Sequence, residues 1–380
     1  MLKGIRGGRV LLPDGKIVET DLRLDDGHIS DVGEANGHSL DATGLLVLPG
    51  AVDIHGDAFE RQLMPRPKVS FPVDTALIDT DRQLLANGIT TAFHGITCSW
   101  EGGLRGTEQA ASLIDSIASD ALPLGAEHCV HLRFETYHLD AVDKVIEWIE
   151  NGQIDFLAFN EHLSHIQKKS GNGELVKYAE RSGITEPEFR ALLERTATRA
   201  DDVPAAIVRI ATHARSAGLA LASHDDDTEA QRHWFHAQGC HVSEFPRTEE
   251  ALQTARQLDN YVILGAPNVM RGGSHCKAIG AAETIARGLC DVLASDYYYP
   301  ALTLAPFRLL RDGVSDFGDA WQLVSRNPAR AAGLDDRGEI AVGQRADLVL
   351  IDDSDPRLPT VQAVVVAGEQ RYAARPFAVR

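Results

Sequence analysis

The sequence predicts an α/β protein in which eight parallel strands close into a (β/α)8 barrel, joined to a small β-domain built from both chain ends. Two observations support this. Between residues 51 and 335, eight short apolar runs alternate with helix-patterned segments, and eight strand–helix units are typical of a closed TIM barrel. Residues 1–50 and 336–380 instead carry short alternating runs between glycine, Asp-Gly and proline turns, a pattern that favours antiparallel strands.

The two chain ends are β-rich but short. The first contains GRVLLPDG, KIVETDLRL, HISDVG and GLLVLPG, and the last contains GEIAVGQRADLVLIDD and TVQAVVVAGEQRY. Neither has enough strands to form a stable domain alone. We therefore expect residues 1–50 and 336–380 to form one composite β-sandwich domain, with the barrel of residues 51–335 inserted between them.

The barrel strands are predicted in chain order from the apolar runs AVDIH, TTAFHGIT, EHCVHLRFE, DFLAFNEH, LALASHD, HVSEFP, YVILGAPN and VLASD. The interval between the fourth and fifth runs, near residues 163–218, is unusually long and helix-patterned. Long connections in compact domains are commonly functional. We expect an inserted helical pair that covers the mouth of the barrel.

Charge and composition limit the classes of partner. The chain has 380 residues and a formal net charge of −18, so nucleic acid and anionic membranes would be repelled on average. No apolar stretch approaches the ~20 residues of a membrane span, and the first residues lack a signal-peptide pattern. Five cysteines without a CxxC pair indicate reduced thiols. These features predict a cytoplasmic protein with a small-molecule substrate.

Ionisable side chains recur where the predicted strands end. In a parallel barrel, catalytic groups gather at the carboxyl ends of the strands. Imidazoles and carboxylates suit one or two divalent cations, with Zn²⁺ the first choice and Mn²⁺ the second. Six such residues are the candidate metal ligands: His55, Asp57, Glu135, His162, His224 and Asp296.

Roles can be assigned to these residues from their positions. His55 and Asp57 are two residues apart in a strand and therefore share one face. Glu135 either bridges two ions about 3.5–4 Å apart or completes one site, and His162 and His224 complete the second site. Asp296 can both bind an ion and accept a proton from water, which makes it the candidate catalytic base.

Taken singly, each of these residues has a structural interpretation, such as a buried histidine or a helix cap. The coincidence of six such residues at the ends of predicted strands favours a metal site. Glu244 ends the sixth run. His131 lies inside the third run and is interpreted as packing or as a partner of the ligands. Asp225 either hydrogen-bonds a ligating histidine or caps a helix.

A candidate anion-binding segment begins at Asn268, which ends the seventh run. Glycines there permit positive φ and close backbone approach, and an arginine offers a planar fork for phosphate. The alternative is an ordinary glycine-rich turn. Arg133 shares a strand face with Glu135 and is also expected to contact substrate. The candidate substrate-binding residues are Arg133, Asn268, Arg271, Gly272, Gly273, Ser274 and His275.

Two segments resemble a known family. LVLPGAVDIHGD and GEIAVGQRADLVLID are similar to the segments that lead into and out of the barrel in the amidohydrolase superfamily. The His55-x-Asp57 variant, with APNVMRGGSH and ASDYYYPA, resembles the superfamily's branch in phosphonate metabolism, which belongs to the carbon–phosphorus lyase pathway. This resemblance implies that the six candidate ligands bind metal.

The resemblance also implies a reaction. That branch hydrolyses α-D-ribose 1-methylphosphonate 5-triphosphate to the 5-phosphate and pyrophosphate, which implies attack of metal-activated water on the α phosphorus. A homodimer is common for this architecture and is expected here.

Two other classes of function remain open. The same fold could act as an N-acyl-D-amino-acid hydrolase or as a deaminase, because fold does not determine function. A non-catalytic scaffold is the second alternative, although such proteins lose their metal ligands. A cluster of cations around the site favours the polyphosphate substrate, since an acylated amino acid needs only one carboxylate-binding arginine.

Overall fold

The computed structural model describes residues 1–119, 121–169, 173, 175–272 and 280–377. Its strands are β1 Gly4–Leu11, β2 Ile17–Asp25, β3 His28–Val32, β4 Ser39–Asp41, β5 Leu46–Pro49, β6 Ala51–Gly56, β7 Ile89–Cys98, β8 Glu127–Glu135, β9 Phe156–Asn160, β10 Ala220–His224, β11 Cys240–Glu244, β12 Tyr261–Gly265, β13 Val292–Ala294, β14 Leu348–Asp352, β15 Thr360–Val366 and β16 Glu369–Ala373.

The helices flank these strands. They are α1 Glu60–Leu63, α2 Val73–Ala86, α3 Thr107–Ile117, α4 Val142–Glu150, α5 Leu163–Lys169, α6 Leu175–Ser182, α7 Glu186–Ala197, α8 Val203–Ser216, α9 Glu229–Ala237, α10 Glu249–Gln257, α11 Ala266–Arg271, α12 Ala281–Ala286, α13 Pro300–Arg311, α14 Phe317–Gln322 and α15 Arg326–Ala331. Within the described ranges, none of these helices combines the length and apolarity that a membrane span requires.

The predicted barrel is confirmed. Strands β6 to β13 pair in parallel in chain order, and each of the eight predicted runs overlaps one of them. A parallel bridge between Gly56 and Asp296 brings the last strand back to the first. There the Asp296 amide donates to the His55 carbonyl and the Asp57 amide to the Asp296 carbonyl, both at 3.0 Å. The barrel therefore closes at three candidate ligands.

The barrel interior is apolar below the mouth. Side chains including Val52, Phe93, Phe156, Val242 and Ile263 form one buried cluster, as expected of strands that pack inside a closed barrel. Strand β6 departs from regular pairing, because it has one more residue than β7 between the pairs Asp53–Ala92 and Gly56–His94. Such an irregularity redirects side chains, and it lies beside His55.

The seventh strand is shorter than the sequence pattern predicts. Strand β12 ends at Gly265, and helix α11 begins at once with Ala266 and Pro267. Proline fits the first turn of a helix, where no backbone donor is needed. Asn268 was expected at a strand end, and that prediction is wrong: Asn268 lies in the first turns of α11.

The two chain ends join in one domain, as predicted. Strand β5 pairs antiparallel with β14 and parallel with β1. The hydrogen-bonded order is β16-β15-β14-β5-β1-β2-β3, with β4 beside β1. The eight strands thus form one continuous mixed sheet, where a two-layer sandwich was expected, because β5 and β14 connect the two ends edge to edge. This sheet has its own core, which includes Ile5, Leu22, Leu348 and Val365.

In the described part of the long interval after β9 there are four α-helices. Helix α8 packs on the barrel through Ile207 and Ile210. Helices α5, α6 and α7 form a separate apolar cluster with Trp100, which lies in the loop after β7. Helix α7 begins with a capping box, in which Thr185 and Glu188 satisfy each other's backbone amides. The three-helix insertion therefore lies beside the mouth of the barrel.

Candidate active site

Glu244 at the end of β11 lies between two histidines. Its Oε1 is 3.0 Å from His55 Nδ1, and its Oε2 is 3.1 Å from His224 Nδ1. The two imidazole rings stack with centroids 5.3 Å apart. All three side chains are buried. Burial lowers the pKa of His224 to about 3 and that of His55 far below its ordinary value, so both rings are neutral, as metal ligation requires.

His131 shows that this group fits a cation. Its Nδ1 lies 3.0 Å from the Ile54 carbonyl, so Nδ1 must carry the proton and donate it. Its Nε2 then presents a lone pair, which has no hydrogen-bond partner among the described residues and lies 3.7 Å from Glu244 Oε1. Burial lowers the pKa of His131 to about 3. A lone pair facing a carboxylate is unfavourable unless a cation lies between them.

Among the residues that the structure describes, ligand atoms form two groups at the mouth. His55, His131 and Glu244 form the first, and His162, His224 and Asp225 form the second. Within each group the ligand atoms lie within 4.8 Å of one another. Nitrogen and carboxylate donors of this kind suit Zn²⁺ or Mn²⁺. We call these the first and second ligand groups.

Glu135 is paired with a histidine in this structure. Its Oε1 lies 2.6 Å from His162 Nδ1, and the His162 amide donates to Oε2 at 3.2 Å. Burial would raise the pKa of Glu135, but the neighbouring His162 holds it at about 2. Glu244 contacts a histidine of each ligand group, and the bridging of two ions by Glu135 stays a prediction.

Asp57 and Asp296 face each other across the closure of the barrel. Burial raises the pKa of Asp296 to about 7, and the nearby Asp57 adds to this. Burial also raises the pKa of Asp57, whose Oδ2 receives a hydrogen bond from Arg133 Nη1 at 3.3 Å. When the Asn160 side-chain amide is oriented with its oxygen towards Arg133, that oxygen accepts hydrogen bonds from Arg133 Nη2 at 3.2 Å and from Arg133 Nε at 3.3 Å. Arg133 is thus a buried cation beside the candidate ligands Asp57 and Asp296.

Three strand ends at the mouth adopt a left-handed backbone. Asp225, Phe245 and Asp296 have φ values of 60°, 52° and 55°, and each lies just after a barrel strand. Residues other than glycine rarely adopt this backbone conformation, and such strain concentrates at functional sites. Two of the three residues are candidate metal ligands.

The residues of the predicted anion-binding segment differ in how close they lie to the site. A methyl group at Gly265 would lie 3.5 Å from Asp296 Oδ2 and 3.6 Å from Asn268 Nδ2, so the Asn268 amide adjoins the site. Arg271 is exposed at the end of α11, and Gly272 ends that helix with φ 75°. Gly273, Ser274 and His275 lie outside the described residues.

Three residues of the ligand groups were missing from the predicted set. Glu244 ends a barrel strand, as the predicted ligands do. His131, Arg133 and Glu135 alternate along β8 and share one face, so the same rule that selected Arg133 also points to His131. Asp225 directly follows His224 and was left open as a ligand partner or helix cap. What the sequence does not show for any of the three is which strand ends lie next to one another in the folded barrel.

The fold and these ligand groups define a (β/α)8-barrel protein with a candidate metal site. The Amidohydrolase family profile matches residues 281–372. The chain is 32% identical over 357 residues to α-D-ribose 1-methylphosphonate 5-triphosphate diphosphatase of Escherichia coli strain K12, which covers 91% of this chain and 94% of that protein. The chain therefore belongs to the amidohydrolase superfamily, whose members are metal-dependent, and the predicted resemblance is confirmed.

Other relatives are more distant. Adenine deaminase of Brucella suis is 26% identical over 92% of this chain, which spans only 53% of that protein. Among solved structures, molinate hydrolase superposes with a TM-score of 0.63 at 16% identity, covering 97% of this chain and 94% of that one. At this identity the likeness shows the shared fold alone.

Proposed function

We propose that this hydrolase cleaves α-D-ribose 1-methylphosphonate 5-triphosphate to the 5-phosphate and pyrophosphate, by attack of water on the α phosphorus. The observation that carries the proposal is the 32% identity to the Escherichia coli diphosphatase along nearly the whole of both chains. The buried guanidinium of Arg133 at the ligand groups agrees with an anionic substrate. The adenine deaminase relatives are less similar and are matched over about half their length.

The two ligand groups would hold the divalent cations, with Zn²⁺ proposed first and Mn²⁺ second. Asp57, Glu135 and Asp296 border these groups and are proposed as further ligands. Cations bound here would supply an activated water and offset the charge of the phosphoryl oxygens. We also propose a cytoplasmic homodimer as the working form, with the phosphorylated ribose as its small-molecule partner.

The chain's own side chains would orient the substrate and move the proton. Asp296 is proposed as the acceptor of the water proton, because its carboxylate lies at the barrel closure beside Asp57 and Asn268. Arg133 would donate to a phosphoryl oxygen. Asn268 and Arg271 are proposed to donate to the phosphate chain, together with Gly272, Gly273, Ser274 and His275.

Phosphorus NMR of the metal-loaded protein with the ribose triphosphate tests this function. We expect pyrophosphate and the 5-phosphate as products, with label from oxygen-18 water on the 5-phosphate alone. Label in pyrophosphate would contradict attack on the α phosphorus. If the triphosphate stays intact while adenine is converted to hypoxanthine, the deaminase alternative replaces the proposal.

A further inference from the structure

A cavity of about 240 Å³ opens beside the second ligand group, between the inserted helices and the loop after β7. His162 and Asp225 line it on the side of the ligand group, and Arg105 and Arg181 line it as well. We propose that this cavity binds the two terminal phosphates of the triphosphate, which leave as pyrophosphate, and that Arg105 and Arg181 recognise them. This inference rests on the proposed function and assigns a substrate subsite within it.

Arg105 is fixed by a two-point contact. Its Nε and Nη2 each donate to one oxygen of the Glu60 carboxylate at 2.8 Å, and only 14% of its side chain is exposed. Parallel hydrogen bonds of this kind orient the plane of the guanidinium. An arginine that is already ordered loses little entropy when an anion binds.

Arg181 is held from two sides. Its Nη2 donates to the buried carboxylate of Glu101, and its guanidinium lies over the Tyr178 ring, 5.3 Å from the centroid. Residues Tyr178 and Arg181 belong to α6 of the insertion, whereas Glu101 belongs to the loop after β7. The insertion thus adds the guanidinium of Arg181 to that of Arg105, which comes from the loop after β7.

The size and charge of the cavity fit pyrophosphate. At about 30 Å³ per water molecule the cavity holds roughly eight waters, which is room for two phosphates and more than one orthophosphate needs. Its lining combines two arginines and two histidines with the carboxylates of Glu101 and Asp225. A cation in the second ligand group would offset Asp225, which leaves Glu101 in the lining and Glu60 behind Arg105 as the opposing charges.

Calorimetric titration of inorganic pyrophosphate into the metal-loaded protein tests the inference. Arg181→Gln is expected to weaken pyrophosphate binding about 10-fold or more, since a charge-assisted contact is lost. Glu101→Gln is expected to strengthen it severalfold, because a carboxylate facing the anion is removed. Arg181→Lys should recover part of the affinity by restoring the charge without the fork. Loss of structure alone would weaken binding in both the Arg181→Gln and Glu101→Gln variants.

Arg199→Gln is the matched control, because Arg199 pairs with Asp140 on the surface near the insertion. The pyrophosphate affinity of this variant should equal that of the unmodified protein. Unchanged affinity in folded Arg181→Gln would overturn the inference. If that variant does not fold, weaker or unchanged binding by Glu101→Gln overturns it instead. Methylphosphonate binding that depends equally on Arg181 would overturn the assignment to the terminal phosphates.

The two proposals fail in different ways. If the unmodified protein binds pyrophosphate through Arg181 but releases none from the ribose triphosphate, the proposed function is wrong and the anion cavity stands. If it releases pyrophosphate and the affinities of the Arg181 variants do not change, the function stands and the subsite is wrong.

Discussion

The barrel carries buried charges at both of its ends, and the two ends arrange them differently. At the base, where β8 begins, Glu127 Oε2 receives a hydrogen bond from Arg337 Nη1 at 2.7 Å and another from Arg345. Arg337 Nη1 also donates to Thr91 at 3.0 Å. Burial would raise the pKa of Glu127, but these arginines hold it below its ordinary value. Each charged side chain of this base cluster contacts one of opposite charge.

At the mouth, like groups face one another. Burial and the nearby Asp57 raise the pKa of Asp296 to about 7, and burial raises the pKa of Asp57. His131 Nε2 faces the Glu244 carboxylate without a hydrogen-bond partner among the described residues. A cluster of this kind costs stability until a cation binds. Paired charges therefore support the fold at the base, whereas the unpaired groups at the mouth form a candidate metal site.

The largest expected effect is at the mouth. Asp296→Asn should retain some metal and lower kcat for pyrophosphate release about 10²–10⁴-fold, because an amide cannot accept the water proton. The free energy of unfolding of the metal-free protein should not fall, since one of two crowded carboxylates is removed. Rates from phosphorus NMR and urea denaturation measure the two quantities. Turnover close to that of the unmodified protein would remove Asp296 from its proposed role.

The first ligand group provides the next test. Glu244→Gln should weaken divalent metal binding roughly 10–100-fold, since a carboxylate that contacts His55 and His224 becomes a neutral amide. Metal content after dialysis against a graded chelator series measures this. Glu127→Gln is the matched control and should retain its metal. Equal metal content in both variants would contradict the assignment of Glu244.

The base cluster should show the reverse pattern. Glu127→Gln leaves Arg337 and Arg345 without their shared carboxylate, so the free energy of unfolding should fall by about 1–2 kcal/mol, a range that allows for the partial exposure of Glu127. The value of kcat should remain within about twofold, because the base lies far from the mouth. A urea midpoint and a turnover assay check both. If Glu127→Gln lost turnover while its free energy of unfolding did not change, the contrast between the base cluster and the mouth would be wrong.

The smallest effect concerns an exposed residue near the mouth. Arg271 ends α11 and is exposed to solvent, where water screens charge–charge attraction. Arg271→Ala should therefore raise KM for the triphosphate by only about threefold, and less for a phosphate monoester. Steady-state kinetics on both substrates measures the ratio. Equal changes for the two substrates would exclude Arg271 from polyphosphate binding.

The amino-acid sequence determined the eight barrel strands, the composite domain and the strand-end positions of the candidate ligands. These follow from local patterns: alternation with a period of two, turn residues at fixed places, and ionisable residues where apolar runs stop. The same local rule was wrong at Asn268, because Pro267 favours a helix start directly after Gly265.

Only the tertiary structure decided which ionisable groups meet. His55 and Glu244 are 189 residues apart, and Arg181 meets Glu101 across 80 residues. No local pattern records such distances, because strand pairing, barrel closure and the docking of an inserted helix determine them. The sequence by itself thus determined that the candidate ligands lie at a barrel mouth. The packing of the barrel decided that Glu244 lies between two histidines and that Glu135 pairs with His162.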